Sequence, residues 1–227
     1  MKKKIGKMNE IGWIVGVLLC AFGVSMCTKA DFGLSMIGAP PYILHYALRE
    51  MIPWYTQGTS EYFFQGVEMI IMCLIIGRFK PKYLLSFGSS VLAGLTIDMW
   101  LAILGGNGAY ESMIMRIIAF VIGESAIAMA VALFFRTTMP IQVCELVVCE
   151  ISERYHLNKN KFKLWFDVFM MALSCTLAVV LHTGFNGIGI GTVIVVFINA
   201  PLITLFGKIL DKFFSFDSIV TLPLKKR

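Results

Sequence analysis

Glu68, Glu124 and Asp167 are carboxylates set inside long apolar runs, and Asp98 and Glu145 stand in similarly apolar surroundings. Charge at membrane depth costs about 2.5–3.5 kcal/mol per residue on insertion scales, so a chain that keeps it there has a use for it. The uses are few: carrying a proton or cation, pairing with another buried group, or serving as counter-ion to a ligand. Glu68 shares a stripe with Gln65 and Glu61 at steps of three and four, which turns one polar helix face inward. Glu68 and Glu124 fall near mid-span, whereas Asp98 lies on the outer third of its run, behind Ser86, Ser90 and Gly94. Glu68, Asp98, Glu124 and Asp167 are therefore the candidates for ion or proton coupling.

A second group of candidates comes from two polar interruptions, KADFGLSMIGAPPYILHYALRE at 29–50 and RTTMPIQVCELVVCEISER at 136–154. Each follows an apolar run, opens with polar and helix-breaking residues, and becomes a helix too short and too polar to cross a bilayer. Two re-entrant half-helices are expected. Non-helical backbone is tolerated at depth only where protein buries it or a wet cavity receives it. A half-helix N-terminus placed there offers unpaired N–H groups and about half a positive charge. Ser35, Gly38 and His45 on the first segment, and Thr138, Gln142 and Glu145 on the second, are the candidate substrate-binding residues. The faces continue as Gly38, Tyr42, His45, Arg49 and as Gln142, Glu145, Cys149, Ser152. Asn199 joins the set because Pro201, two residues on, frees a carbonyl near Phe197. The plainer alternative is that both short helices lie among headgroups and the carboxylates only lock helices together.

The elements that would position these groups are apolar and long. Of 227 residues, 58% are hydrophobic, which places the chain among integral membrane proteins. Spanning runs are expected at 11–29, 61–77, 83–104, 114–135, 163–181 and from about 187 to 210. Gly12, Gly16, Cys20, Gly23 and Cys27, at steps of four and three, put five small residues of the first run on one face, for close approach to another helix. If neither short helix crosses, the Lys/Arg-bearing segments at 2–7, 78–82, 154–163 and 208–227 all fall on one side. The positive-inside rule makes that side cytoplasmic, with both termini on it. The chain then reads as a cytoplasmic N-terminus (1–10), a first repeat (11–104), a linker (105–113), a second repeat (114–210) and a cytoplasmic tail (211–227). Each repeat runs span, half-helix, span, span. Three crossings per repeat invert the second relative to the first, and such repeats carry transporter sites at their interface near the midplane. The fold class is all-α: six transmembrane helices plus two re-entrant half-helices in two inverted-topology repeats.

Several function classes are excluded by composition. The net charge of +6 lies in short runs between apolar segments, with no basic face interleaved with aromatics, so nucleic acid is not a partner. The six cysteines sit in apolar stretches without metal-ligand spacing, and no metal or cofactor is expected. His45, His156 and His182 stand alone, no HExxH occurs, and no Ser/His/Asp set gathers on compatible faces, so the chain is not read as an enzyme. GIGIGT at 187–192 lacks the spacing and the downstream acid of a dinucleotide fingerprint.

FGVSMCTKADFGLS, the Pro140 break, KFKLWFD at 161–167 and GIGIGTVIVVFINAPLI at 187–203 together resemble the YitT/YczE type of bacterial membrane protein, over about residues 12 to 210. The chain departs from that pattern at Met36, where the resemblance would place a proline. The resemblance implies a multi-pass protein of the inner membrane and no reaction. With the half-helices, it leads to a small-solute or ion transporter or channel, whose partners are its solute and the lipid bilayer. The alternative is a non-transporting scaffold or regulator. Substrate, coupling ion, direction and oligomeric state, a homo-oligomer included, are left open.

Overall fold

The computed structural model describes residues 9–184 and 186–214, apart from the side chain of Asn160. The sequence-derived cytoplasmic segment before Asn9 and most of the tail lie outside the described residues. Those described form helices without strands: α1 (Asn9–Ala30), α2 (Ala39–Leu48), α3 (Gln57–Ile76), α4 (Lys82–Ile103), α5 (Met113–Phe134), α6 (Val143–Arg154), α7 (Lys159–Val180) and α8 (Ile190–Phe213). Six of them, α1, α3, α4, α5, α7 and α8, are long and apolar enough to cross a membrane. The chain is thus a multi-pass, helical, membrane-type protein.

Local chemistry sets the boundaries. α2 starts at the sequence Ala39-Pro40-Pro41, where missing N–H groups cost nothing because first-turn donors have no helical acceptor. The Thr56 hydroxyl caps α3 by accepting from Thr59 N–H at 3.1 Å, and Gly77 ends it in the left-handed conformation at φ 68°. α6 begins after Pro140, and α8 runs through Pro201.

α1 and α5 form the centre, antiparallel, with α4 on the outer side of α1 and α8 on the outer side of α5. The small-residue face of α1 meets α5. A Cβ on Gly23 would lie 2.6 Å from the Gly123 carbonyl, and one on Gly123 would lie 2.7 Å from the Cys27 sulfur. α3 lies against α4, and α2 and α6 pack between α3 and α7. The pairs α1·α4 and α5·α8 match under exchange of the two halves, as do α2·α7 with α6·α3 and α2·α3 with α6·α7. The α3·α4 and α4·α6 contacts have no such match, because α8 touches neither α7 nor α2. α7 and α8 are therefore the least buried of the six long helices.

The largest apolar core, which includes Val17, Met72, Tyr83, Phe134, Val143 and Val147, gathers where α6 enters among α1, α3, α4 and α5. The ends of the bundle differ in charge. Lys80, Lys82, Arg136, Arg154 and Lys159 mark a basic end, and Lys29, Arg49 and Arg116 lie toward the other.

Candidate functional site

The segment from Arg136 to Arg154 leaves the basic end and comes back to it. Arg136 pairs with Asp211 at 2.6 Å, and the Thr138 N–H and hydroxyl donate to Asn9 at 2.6 and 3.2 Å, at the very start of α1. The Pro140 carbonyl then accepts from Trp13 at 2.9 Å and from Ser89 at 3.1 Å. Gln142 reaches the Cys20 sulfur at 3.9 Å. The Val143 N–H donates to Gln65 at 3.1 Å and to Ser90 at 3.2 Å. Cys20, Gln65 and Ser90 each stand close to halfway along their helices, so α6 starts at half the depth of α1, α3 and α4. It runs beside α3 to the basic end, where Tyr155 donates to the Ile75 carbonyl at 2.9 Å.

Around that start lies an acidic cluster. Glu68 is 7% exposed, and neither of its oxygens has a hydrogen-bond partner. Glu61, Glu145 and Lys163 are near enough to act on it electrostatically. Gln65 donates to Glu61 at 3.1 Å. Lys163 lies between Glu145 at 3.3 Å and Asp167 at 3.1 Å, with its ammonium 5.9 Å from the Phe166 ring centre. Glu124, also 7% exposed, accepts from the Cys27 thiol at 3.4 Å and borders the cluster across Cys20. Three carboxylates, Glu68, Glu145 and Asp167, thus gather about one ammonium at the mouth of a half-length helix, with Glu61 beside Glu68.

Of the residues singled out from sequence, Glu68, Gln142, Glu145 and Asp167 come together here and Glu124 sits at the edge. The others are placed elsewhere. Asp98 accepts from Thr56 at 2.5 Å and from Gly58 N–H at 2.8 Å, so each of its oxygens is engaged in capping α3. The Ser35 hydroxyl accepts from Gly38 N–H at 3.3 Å, closing the turn ahead of α2. His45 donates from Nδ1 to the Tyr55 carbonyl at 2.9 Å, which leaves Nε2 to accept from Asn107 at 2.7 Å. Burial lowers the pKa of that imidazole below the ordinary histidine value, consistent with a neutral ring that fastens loops. Thr138 stays at the basic end with Asn9. Asn199 has a buried Oδ1 without a hydrogen-bond partner, but α8 packs only on α5 among the helices, apart from α6 and α7.

The two half-length helices do not meet, so the candidates expected on the first segment and those on the second do not form one site. α2 begins shallower than α6: the Pro41 carbonyl accepts from Ser60, in the first turn of α3, at 2.5 Å. The loop ahead of α2 is sealed to the start of α8, with Leu34 N–H on the Gly187 carbonyl at 2.9 Å and Gly191 N–H on the Phe32 carbonyl at 2.8 Å. Sequence reasoning missed Lys163 because KNKFK reads as a basic loop, although its i, i+4 spacing to Asp167 was a usable signal.

At the basic end a cavity of about 230 Å³ is lined by Ile76, Arg78, Lys80, Glu150, Glu153, Arg154 and His156, and a second of about 340 Å³ by Cys149, Ser152, Glu153, Leu157 and Lys159. Neither is lined by the acidic cluster. The face of α6 that carries Ser152 and Cys149 in the second cavity continues through Glu145 to Gln142, at steps of three and four.

Glu150 anchors the far end of α6 to the α3–α4 turn. It is 5% exposed and accepts from Lys80 at 2.6 Å, from Tyr83 at 2.7 Å and from Lys82. Burial alone would raise its pKa, but these three hydrogen bonds override that and hold it at about 2, down from an ordinary 4.5. A depressed carboxyl stabilises fully above its unfolded value and loses that contribution as pH falls through the folded one. Wild-type thermal stability should therefore decline on acidification from about 4.5 toward about 2. Glu150→Gln should be less stable at neutral pH and lose most of that dependence, which a melting series in detergent would read; an unchanged acid limb would remove the anchor from the account.

Comparison with known proteins adds kinship and no activity. Residues 8–208 match the model of a family of unknown function, DUF6198. The chain is 28% identical over 211 residues to "Uncharacterized protein YyaS" of Bacillus subtilis (strain 168), covering 91% of this chain and 96% of that one. No solved structure matches.

Proposed function

We propose, for a chain that belongs to the DUF6198 family of unknown function, that it is a small-solute or ion transporter or channel of the bacterial inner membrane, with its site at the mid-depth start of α6. The observation that carries this reading is Glu68, a buried carboxylate with both oxygens unpaired, beside a helix that starts halfway down its neighbours. A residue that only locked helices together would have a partner. Buried polar groups almost always do, and a carboxylate left without one is costly. Glu68, with Glu124 at the edge, holds the coupling proton or cation, and Gln142, Glu145 and Asp167 line the site.

On this reading α2 and α6 are re-entrant half-helices, α1–α4 and α5–α8 are inverted repeats, and the basic end with both termini is cytoplasmic. The matched contacts of the two halves support the repeat, and the polar face of α6 runs from the second cavity toward the acidic cluster. The unmatched α3·α4 and α4·α6 contacts fit a transporter caught with one repeat closed and the other open. Kinship to the YitT/YczE type rests on the motifs quoted from the sequence. The scaffold alternative has no comparable observation behind it.

The test is transport by proteoliposomes read two ways, as charge movement on a solid support and as luminal pH change, so that electroneutral proton exchange is also seen, with a panel of cationic, anionic and zwitterionic solutes. At least one solute should evoke a saturable, protein-dependent signal, a current or a change in luminal pH. Silence across the panel, with protein shown to be folded and inserted, would overturn the transport reading.

A further inference from the structure

The charge balance around α6 selects the kind of ligand. Every acid of the cluster except Glu68 has a hydrogen-bonding or ion-pairing partner: Gln65 donates to Glu61, Lys163 pairs with Glu145 and with the otherwise unbonded Oδ1 of Asp167, and the Cys27 thiol donates to Glu124. The positive end of α6 is already met as well. Its first N–H is taken by Gln65 and Ser90, and its first turn contains Glu145. An anion arriving here would meet the oxygens of Glu61, Glu68, Glu145 and Asp167, and the single ammonium among them is already paired with two. A cation would find Glu68 with both oxygens free.

A bare metal ion is the weaker fit, since no group of three or more His, Cys, Asp or Glu among the described residues is placed to hold one. A single unpaired carboxylate suits a ligand that brings its own N–H donors, one for each oxygen. The protein already shows what such a ligand meets. The Lys163 ammonium sits between two carboxylates with the Phe166 ring 5.9 Å away, the surroundings that hold organic ammonium groups by charge and by cation–π attraction. Lys163 is also close enough to Glu68 to act on it electrostatically, so its charge competes with any cation bound there.

We propose that the cluster at the start of α6 binds an organic cation bearing N–H donors, an ammonium or guanidinium group, with Glu68 as its counter-ion and Lys163 as a tethered competitor. This rests on the transport reading and specifies its substrate class. Glu68 alternately holds the ligand's cation or a proton, and Lys163 keeps the remaining carboxylates neutralised while the site is empty.

The experiment is thermal stabilisation of the purified full-length protein by millimolar methylammonium or guanidinium, against tetramethylammonium, sodium and acetate at matched ionic strength. Saturable stabilisation by the two N–H-bearing cations alone is expected. In Glu68→Gln their half-saturation should rise on the order of 30-fold or more, because one partner of a buried charge pair is removed. Lys163→Met should instead lower half-saturation about tenfold by removing the competitor. Equal stabilisation by sodium or tetramethylammonium, equal stabilisation of Glu68→Gln, or no stabilisation at all would overturn the proposal. Should Glu68→Gln not fold, Lys163→Met decides: an unchanged or raised half-saturation overturns it. The proteoliposome panel separates the two levels. Currents or pH changes evoked only by anions or zwitterions would end the cation class and leave transport standing, whereas a panel silent in both readouts would end both.

Discussion

Gly58→Leu should abolish recovery of folded protein from detergent, while Gly88→Leu, on the neighbouring helix, should be indistinguishable from wild type. A Cβ at Gly58 would collide with the Gly94 carbonyl and lie 2.7 Å from the Asp98 carboxylate, and backbone on both sides leaves nothing flexible to yield. A Cβ at Gly88 meets nothing within 4 Å. The substitution would wedge α3 from α4 and dislodge Asp98 from Thr56 and Gly58 N–H, so two losses add. Overpacking alone costs about 1–3 kcal/mol, and opening a capped, partly buried carboxylate adds to it, which is a large share of a typical fold stability of about 5–15 kcal/mol. Size-exclusion chromatography and a melting curve read the outcome. A monodisperse, wild-type-like Gly58→Leu would mean that α3 and α4 do not cross as described.

Glu68→Gln should keep the fold and lose function. The amide replaces the carboxylate at nearly the same volume and removes a buried charge that has no protein partner, so stability should hold or rise. Any solute-evoked current should fall on the order of 30-fold or more, because the counter-ion is gone. Glu124→Gln should have a smaller effect, since Glu124 is already engaged by the Cys27 thiol. Wild-type currents in Glu68→Gln would reduce Glu68 to a structural residue.

The six long helices were legible because apolar length is a strong signal: the expected run at 83–104 lies within a residue at either end of α4, Lys82–Ile103. The small-residue stripe of the first helix was equally readable, and it is the face laid on α5. Other features depend on what the fold brings together. Asp98 looked like a lone carboxylate in an apolar run, and only the turn that places Thr56 and Gly58 beside it makes it a helix cap. Lys163 looked like the end of a basic loop, yet α7 starts at Lys159 and carries it a full turn inside, facing Glu145 across the α6–α7 contact. The symmetry expected of the two half-helices fails in depth. α6 is drawn in by Gln65 and Ser90, while the loop before α2 is held near the other end by the start of α8 and by Arg116, which pairs with Asp31 at 3.0 Å.

The central claim is that the chain between α5 and α7 enters the membrane, starts a helix at mid-depth beside Glu68, and returns to the side it left. The direct measurement is labelling of single cysteines, in a background lacking the six native ones, with a membrane-impermeant maleimide from either side of oriented membranes. Thr138 and Arg154, both exposed, bracket the segment. Thr138→Cys and Arg154→Cys should label from the same, cytoplasmic side, and Asn107→Cys from the other. Labelling of Thr138→Cys and Arg154→Cys from opposite sides would make α6 a crossing helix and contradict the account.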